Sequence, residues 1–207
     1  MNTRYFTAKT LATTALLAML GGCQSTENVD TTSGEYVTAG LSSSDFHGAA
    51  NNALEDITNS PLLVHPQAES GGRYIMAVSN IVNDTAQRID TDQLTKKIRV
   101  GLLQTGKFLT TTAIGLNGPE DQMTAQVREL SGSKLVNQKT VKKNGSVIAP
   151  DFSLSGKIIQ RTNRLDRSSQ LVDYYFQLTL TELESGLAYW EGEYPVSKKV
   201  SNDSVTW

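Results

Sequence analysis

The 207-residue chain has only one cysteine, two histidines and five prolines. A single cysteine cannot form an internal disulfide, so an exported form of the chain must be stabilised by packing alone. His47 and His65 are too few for a metal-binding set, and neither a metal nor another cofactor is expected. The longest apolar stretch has ten residues, from Leu11 to Leu20. A membrane-spanning helix needs about 20 apolar residues, so this stretch is not predicted to span a bilayer.

The first 23 residues follow the pattern of a bacterial lipoprotein signal peptide. Basic Arg4 and Lys9 precede the apolar stretch, and two small residues, Gly21 and Gly22, precede Cys23. Small residues let the backbone lie extended in a peptidase cleft, and the Cys23 thiol is the group that would receive diacylglycerol. The pattern predicts cleavage after residue 22 and acylation of Cys23. The alternative is an ordinary signal peptide with an incidental cysteine, which is disfavoured because the chain has no other cysteine.

The charge and the residue after Cys23 indicate where the mature protein would lie. Cleavage would remove two basic and no acidic residues, which leaves 17 basic and 21 acidic residues and a formal charge of −4. Nothing in this balance suggests a nucleic-acid partner. The acyl chains of a lipoprotein hold it firmly to a membrane. Gln24 stands where an aspartate typically retains lipoproteins in the inner membrane, so we expect the periplasmic face of the outer membrane.

Residues 23–44 are predicted to be the acylated cysteine and a flexible tether. Ser, Thr, Gly, Asn and acidic residues dominate 24–44, a composition that cannot bury enough apolar surface to fold alone. The mean reach of such a tether is roughly 25 Å. Fully extended, it would span about 70 Å. Residues 45–207 are predicted to form one globular domain.

Two helices are well marked in this domain. In the first, apolar residues recur at helical spacing between Phe46 and Ile57, with Ser44 or Asp45 as the cap. The second has Asp90 as its cap and ends at Gly106. The residues expected on the buried stripe of the second helix are Leu94, Ile98, Gly101, Leu102 and Thr105.

A third helix and several strands complete the predicted domain. The third helix would begin at Asn117–Glu120, with Pro119 in its first turn and Met123, Val127 and Leu130 on one face. A polar loop, with an Asx turn at Asn83, is predicted between Asn80 and Arg88. The segments predicted as strands are 74–78, 107–112, 152–158, 174–180 and 187–191. Residues 132–149 stay ambiguous. The order of elements predicts an α+β fold, a single small domain with one sheet flanked by helices.

No catalytic constellation is found, so the domain is expected to act through its surface and not as an enzyme. No serine lies in a nucleophile elbow, and Ser131-Gly132-Ser133-Lys134 lacks the companion motifs of a transpeptidase. Two surfaces are candidates for docking. They are a basic helix edge, Lys96, Lys97 and Arg99, and the strand side that carries Gln177, Thr179 and Thr181. For each residue the competing interpretation is an ordinary solvated face.

The order of several motifs resembles the LpoB family of outer-membrane lipoproteins, over roughly residues 45–195. The motifs are Asn83-Asp84-Thr85, Gly106-Lys107-Phe108, Ala149-Pro150-Asp151-Phe152-Ser153-Leu154-Ser155-Gly156-Lys157-Ile158, and Ser185-Gly186 before Trp190. The resemblance implies a four-stranded mixed or mainly antiparallel sheet flanked by helices. It also implies a regulator without small-molecule substrate that activates a bifunctional class A penicillin-binding protein through an accessory domain. By position, Lys96, Lys97, Arg99 and the strand containing Gln177 and Thr179 would be the contact surface.

The tether leaves other functions open. Well-known members of the family carry a long proline-rich tether, whereas residues 24–44 contain no proline. A second hypothesis is therefore a related envelope lipoprotein that binds a different periplasmic or outer-membrane partner, such as a secretion assembly. A subunit of a curli-type secretion pore is disfavoured, because the chain lacks long alternating hairpins.

Overall fold

The computed structural model describes residues 38–115 and 121–203. These ranges contain three α-helices and one five-stranded sheet, which confirms the predicted α+β class with one strand more than the four expected. The helices are α1 (Ser43–Asn59), α2 (Thr91–Thr105) and α3 (Gln122–Glu129). The strands are β1 (Tyr74–Asp84), β2 (Phe108–Thr110), β3 (Phe152–Arg164), β4 (Ser169–Glu182) and β5 (Ala188–Ser201).

The sheet is mixed, and its strands define two ends of the domain. The strand order is β2-β1-β3-β4-β5, with β1 parallel to both β2 and β3, and with β4 antiparallel to β3 and β5. One end holds the starts of β1, β2, β3 and β5, and we call it the Tyr74 end. The other end holds the last residues of β1, β3 and β5, and we call it the Thr38 end after the first described residue.

The core lies between one face of the sheet and helices α1 and α2. The period-two pattern predicted for β3 and β4 is confirmed, because alternate side chains of these strands are buried. The buried ones include Phe152, Leu154, Ile158, Tyr174, Phe176, Leu178 and Leu180. Phe46 of α1 meets Phe176 edge to face, with ring centroids 5.5 Å apart. Such a large apolar area removed from water is the main stabilising contribution to the fold.

Helix α2 forms where its local signals predict. The Asp90 side chain accepts a hydrogen bond from the backbone N–H of Asp92, and Gly106 ends the helix with φ +69°. The left-handed conformation favours glycine because other residues meet a steric penalty there. Four of the five predicted stripe residues are buried, namely Leu94, Ile98, Gly101 and Leu102.

Helix α3 packs less closely on the domain than its predicted apolar face suggests. The predicted start at 117–120 lies outside the described residues, and within them Asp121 caps the helix by accepting from the N–H of Met123. No residue of the helix is buried, and Met123 is 58% exposed. Residues 132–149 contain turns without a helix or strand, and Leu135 is 90% exposed.

Strands β1, β3, β4 and β5 are longer than predicted, and the added lengths of β1 and β5 have a physical reason. The loop expected from Asn80 is wrong, because β1 continues to Asp84 through an irregularity between Val78 and Ile81. The extra residue lets pairing with β3 resume with Ile81 buried. The Asx turn is confirmed where the strand ends, since the Asn83 side chain accepts from the N–H of Thr85. Strand β5 continues to Ser201, well past the predicted end, because an edge strand can expose alternate polar residues to water.

We expect Gly156→Ala to destabilise the domain by about 1–3 kcal/mol, because added core atoms must displace their neighbours. A Cβ at Gly156 would lie 2.5 Å from the backbone oxygen of Gln177. Gly48→Ala, on the exposed side of α1, meets nothing within 4 Å and should stabilise by roughly 0.5–1 kcal/mol. Urea unfolding of the two variants measures both effects. Equal stability of Gly156→Ala and the unchanged protein would contradict the packing described.

Candidate docking surfaces

The predicted basic residues lie on the outer side of α2. Lys96 and Lys97 are exposed, Arg99 is half-buried, and the intervening Ile98 faces the core. We call Lys96, Lys97 and Arg99 the α2 surface. Lys97 is near α1, because its charge, after the larger effect of burial, holds the pKa of His47 below its ordinary value. The α2 surface therefore borders α1 at Lys97.

The predicted residues of β4 lie on the face of the sheet opposite the core. The Gln177 Nε2 atom donates to Glu193 Oε2 at 2.7 Å, and the Thr179 hydroxyl donates to Glu191 Oε1 at 3.3 Å. These four residues, which we call the β4 surface, line a shallow groove along β4 and β5. A ligand there would meet two carboxylates, so the groove favours a partner that supplies hydrogen-bond donors or positive charge.

The structure separates the two predicted surfaces. Phe176 and Leu178 face the core, so Gln177 between them must point to the other side of the sheet. Lys96 points outward from α2, which packs on the core side. The α2 surface and the β4 surface therefore lie on opposite sides of the domain. One compact partner domain cannot cover both, a conclusion that sequence position alone does not provide.

Residues 38–44 fell within the predicted tether, but they contact the folded domain. The Lys198 side chain is only 7% exposed, and its ammonium group donates to three groups of this segment and the start of α1. It meets Asp45 Oδ2 at 2.6 Å, the Gly40 oxygen at 2.7 Å and the Thr38 oxygen at 3.2 Å. A buried charge requires such partners, since it has lost its water.

Gln87 binds the same segment from the other side. Its amide donates to the Leu41 oxygen and accepts from the Leu41 N–H, at 3.1 Å and 2.8 Å, and Leu41 is buried. Gly40 fits closely here, because a Cβ would lie 2.6 Å from Gln87 Oε1 and would displace the Gln87 amide from these hydrogen bonds. The cap of α1 is Ser42, not Ser44 or Asp45, and Asp45 completes a capping box with Ser42. The spacing of Ser42 and Asp45 is a signal that the sequence prediction missed.

This junction shortens the chain available as a tether. Cys23 and Thr38 are 15 positions apart, and Cys23 itself lies outside the described residues. A chain of that length spans at most about 50–54 Å at 3.3–3.6 Å per residue. The full predicted tether of residues 24–44 would have allowed about 70 Å.

The described residues contain neither a metal-binding cluster nor a membrane-spanning helix. Within 38–115 and 121–203, no group of three or more His, Cys, Asp or Glu residues could hold a metal ion. No helix of these ranges is both long and apolar enough to cross a membrane. The fold therefore places the candidate contact residues on the surface of a small α+β domain.

The chain belongs to the LpoB family, since it matches the family described as "Peptidoglycan-synthase activator LpoB" over residues 45–196. This match confirms the resemblance seen in the sequence. The family is one of synthase activators, which agrees with a domain that acts through its surface. No curated protein matches the chain significantly.

Several solved structures are similar to this chain. The LpoB C-terminal domain from Escherichia coli shares 14% identity, covers 74% of this chain and 99% of its own, and has a TM-score of 0.42. The LpoB C-terminal domain from Salmonella enterica shares 13% identity, covers 73% of this chain and 98% of its own, and has a TM-score of 0.40. A PelC dodecamer from Paraburkholderia phytofirmans shares 14% identity, covers 66% of this chain and 78% of its own, and has a TM-score of 0.28. These values are too low to transfer the role of any residue.

We expect Lys198→Met to lower the free energy of unfolding by about 3–5 kcal/mol, because it leaves the Asp45 carboxylate without its buried partner. Lys199→Met is the matched control, since Lys199 is the exposed neighbour and should change stability by less than about 0.5 kcal/mol. Urea unfolding gives both values, and amide exchange at Leu41 reports release of the segment. Similar losses in the two variants would contradict a special role for Lys198.

Proposed function

We propose that this protein is an outer-membrane lipoprotein, acylated at Cys23, that binds and activates a bifunctional class A penicillin-binding protein. The match to the activator family over residues 45–196 is the observation that carries the proposal. The signal-peptide pattern before Cys23 and Gln24 after it support the anchor and its location. The protein itself would perform no chemistry, and it needs no cofactor or small-molecule substrate.

Activation without chemistry requires selective binding. A regulator shifts a conformational equilibrium only if it binds the active conformation of the synthase more tightly than the inactive one. The accessory domain of the synthase would contact either the α2 surface or the β4 surface. The first offers positive charge, and the second offers a groove with the Glu191 and Glu193 carboxylates. Because these surfaces face opposite ways, the proposal includes only one of them as the main contact.

The short stretch of chain between Cys23 and Thr38, 15 positions in the sequence, favours a second candidate function. A span of at most about 54 Å limits how far the domain can move from the membrane that holds it. An envelope partner at the outer membrane, such as a secretion assembly, would be within that limit. The two candidates differ in whether a longer tether improves function in cells.

In a glycan polymerisation assay, the protein in detergent should bind the cognate class A penicillin-binding protein and raise its rate. The physical reason is stabilisation of the active synthase conformation, so the effect should saturate with regulator concentration. The rate of labelled lipid II consumption measures it. No binding at micromolar protein would contradict the proposed function.

Two double variants, one of the α2 surface and one of the β4 surface, can be compared in that assay, and each is the control for the other. Lys96→Glu with Lys97→Glu changes the α2 surface, and Gln177→Ala with Thr179→Ala changes the β4 surface. All four side chains are outside the core, so both variants should fold normally, and circular dichroism verifies this. One variant should weaken docking and the other should not. Equal losses would contradict a single-surface contact, and no loss in either variant would exclude both surfaces as the main contact.

Lengthening the tether tests the limit on reach. An insertion of a flexible segment between Thr31 and Thr32 should increase incorporation of labelled wall precursor in cells, if reach to the inner-membrane synthase is limiting. The same variant should leave the rate in the detergent assay unchanged, because both proteins are free to meet there. A control insertion of equal length after Asp203 should have no effect in cells. An unchanged incorporation with the tether insertion would show that reach is not limiting.

A further inference from the structure

A pocket at the Tyr74 end is distinct from both docking surfaces. It encloses about 270 Å³ between the loop after α1 and the residues just before β1 and β2. Its apolar part is formed by buried Leu63, by Val64 and by Ala68, and two exposed basic residues, Arg73 and Lys107, line it as well. The pocket thus combines apolar lining residues with positive charge.

The loop that builds the pocket is held in place by its own hydrogen bonds. The Gly72 N–H donates to the Gln67 oxygen at 2.8 Å, and the His65 Nδ1 atom accepts from the Gln67 N–H at 3.0 Å. The His65 ring packs edge to face on Tyr74, with centroids 4.8 Å apart. A Cβ at Gly72 would lie 2.4 Å from His65 Nδ1, so this packing requires glycine. A preformed loop lowers the entropy that binding would cost.

The charge of the pocket is positive although the chain as a whole is acidic. Its lining contains the cations Arg73 and Lys107 but no carboxylate, and the nearby Glu69 is not part of the lining. Within the described ranges, Arg73 makes no ion pair or hydrogen bond. Lys107 Nζ donates to the Thr58 oxygen at 2.9 Å, which leaves two of its three ammonium hydrogens for a ligand. These groups are complementary to carboxylates.

The pocket is also at the end of the domain away from the tether junction. Helix α1 begins beside the Lys198 contacts and ends just before the pocket loop, and its 17 residues span about 25 Å at 1.5 Å per residue. Further apolar side chains are exposed in segments at the same end, including Leu62 and Leu187, each 62% exposed. A partner that approaches from the side opposite the junction would meet this end first.

We propose that this pocket binds a polypeptide segment of the partner protein, with one aliphatic side chain inside and a neighbouring carboxylate on Arg73 and Lys107. The volume suits one aliphatic side chain, and the exposed leucines outside it suit a longer segment more than a small ligand. The identity of that partner as the synthase rests on the proposed function. The preference for an acidic, aliphatic segment follows from the lining of the pocket alone.

Short peptides test the chemistry directly. In NMR of the mature lipoprotein in micelles, acetyl-Glu-Leu-Glu-amide should shift the amide signals of Gly71, Gly72 and Gly106, and acetyl-Lys-Leu-Lys-amide should not. Arg73→Glu with Lys107→Gln should abolish the shifts, and melting temperatures verify that the variant is folded. No shift with the acidic peptide, or equal shifts with both, would overturn the proposal. So would a response to a cell-wall stem peptide in place of the acidic peptide.

Affinity for the synthase tests the biological role. Arg73→Glu with Lys107→Glu should weaken binding by about tenfold or more, as expected for loss and reversal of interfacial charges. Arg88→Glu with Lys199→Glu makes the same charge change at the Thr38 end and should have little effect. An unaltered affinity with the first variant would overturn the pocket's role while the proposed function stands. If the acidic peptide shifts the amide signals but the protein does not bind the synthase, the proposed function fails and the chemistry of the pocket stands.

Discussion

The buried ammonium group of Lys198 joins the two ends of the folded chain. It meets the Asp45 carboxylate and the carbonyl oxygens of Thr38 and Gly40, so the segment before α1 is held against β5. A lysine removed from water is unfavourable without such partners, and the arrangement is satisfied only when the segment, the start of α1 and the end of β5 are all in place. The chain from the predicted anchor therefore enters the domain at a defined position.

The Lys198 contacts and the pocket lie at opposite ends of the domain. Helix α1 leads from the Lys198 contacts to the opposite end of the sheet, where the loop from Pro61 to Gly72 forms the basic, apolar pocket. The α2 surface and the β4 surface lie on the two sides between these ends. These surfaces are separate, so each could contact a different partner.

Local signals were sufficient for much of the fold. Helix α2 could be predicted almost completely, because the Asp90 cap, the apolar spacing and Gly106 act within a few residues of one another. The alternation in β3 and β4 was equally clear, since each strand buries one face. The ends of β1 and β5 could not be predicted. The irregularity after Val78 and the polar edge of β5 interrupt the apolar pattern, and only pairing with neighbouring strands keeps these segments extended.

The sequence by itself determined the lipoprotein pattern at Cys23, the α+β class and the family, because each depends on the order and spacing of residues along the chain. Only the tertiary structure decided that Lys96 and Gln177 lie on opposite sides of the sheet. It also decided that residues 38–44 belong to the folded domain and that Arg73 and Lys107 share a pocket. The physical reason is that Lys198 meets Gly40 across 158 positions, a contact that exists only after the strands have paired and the core has closed.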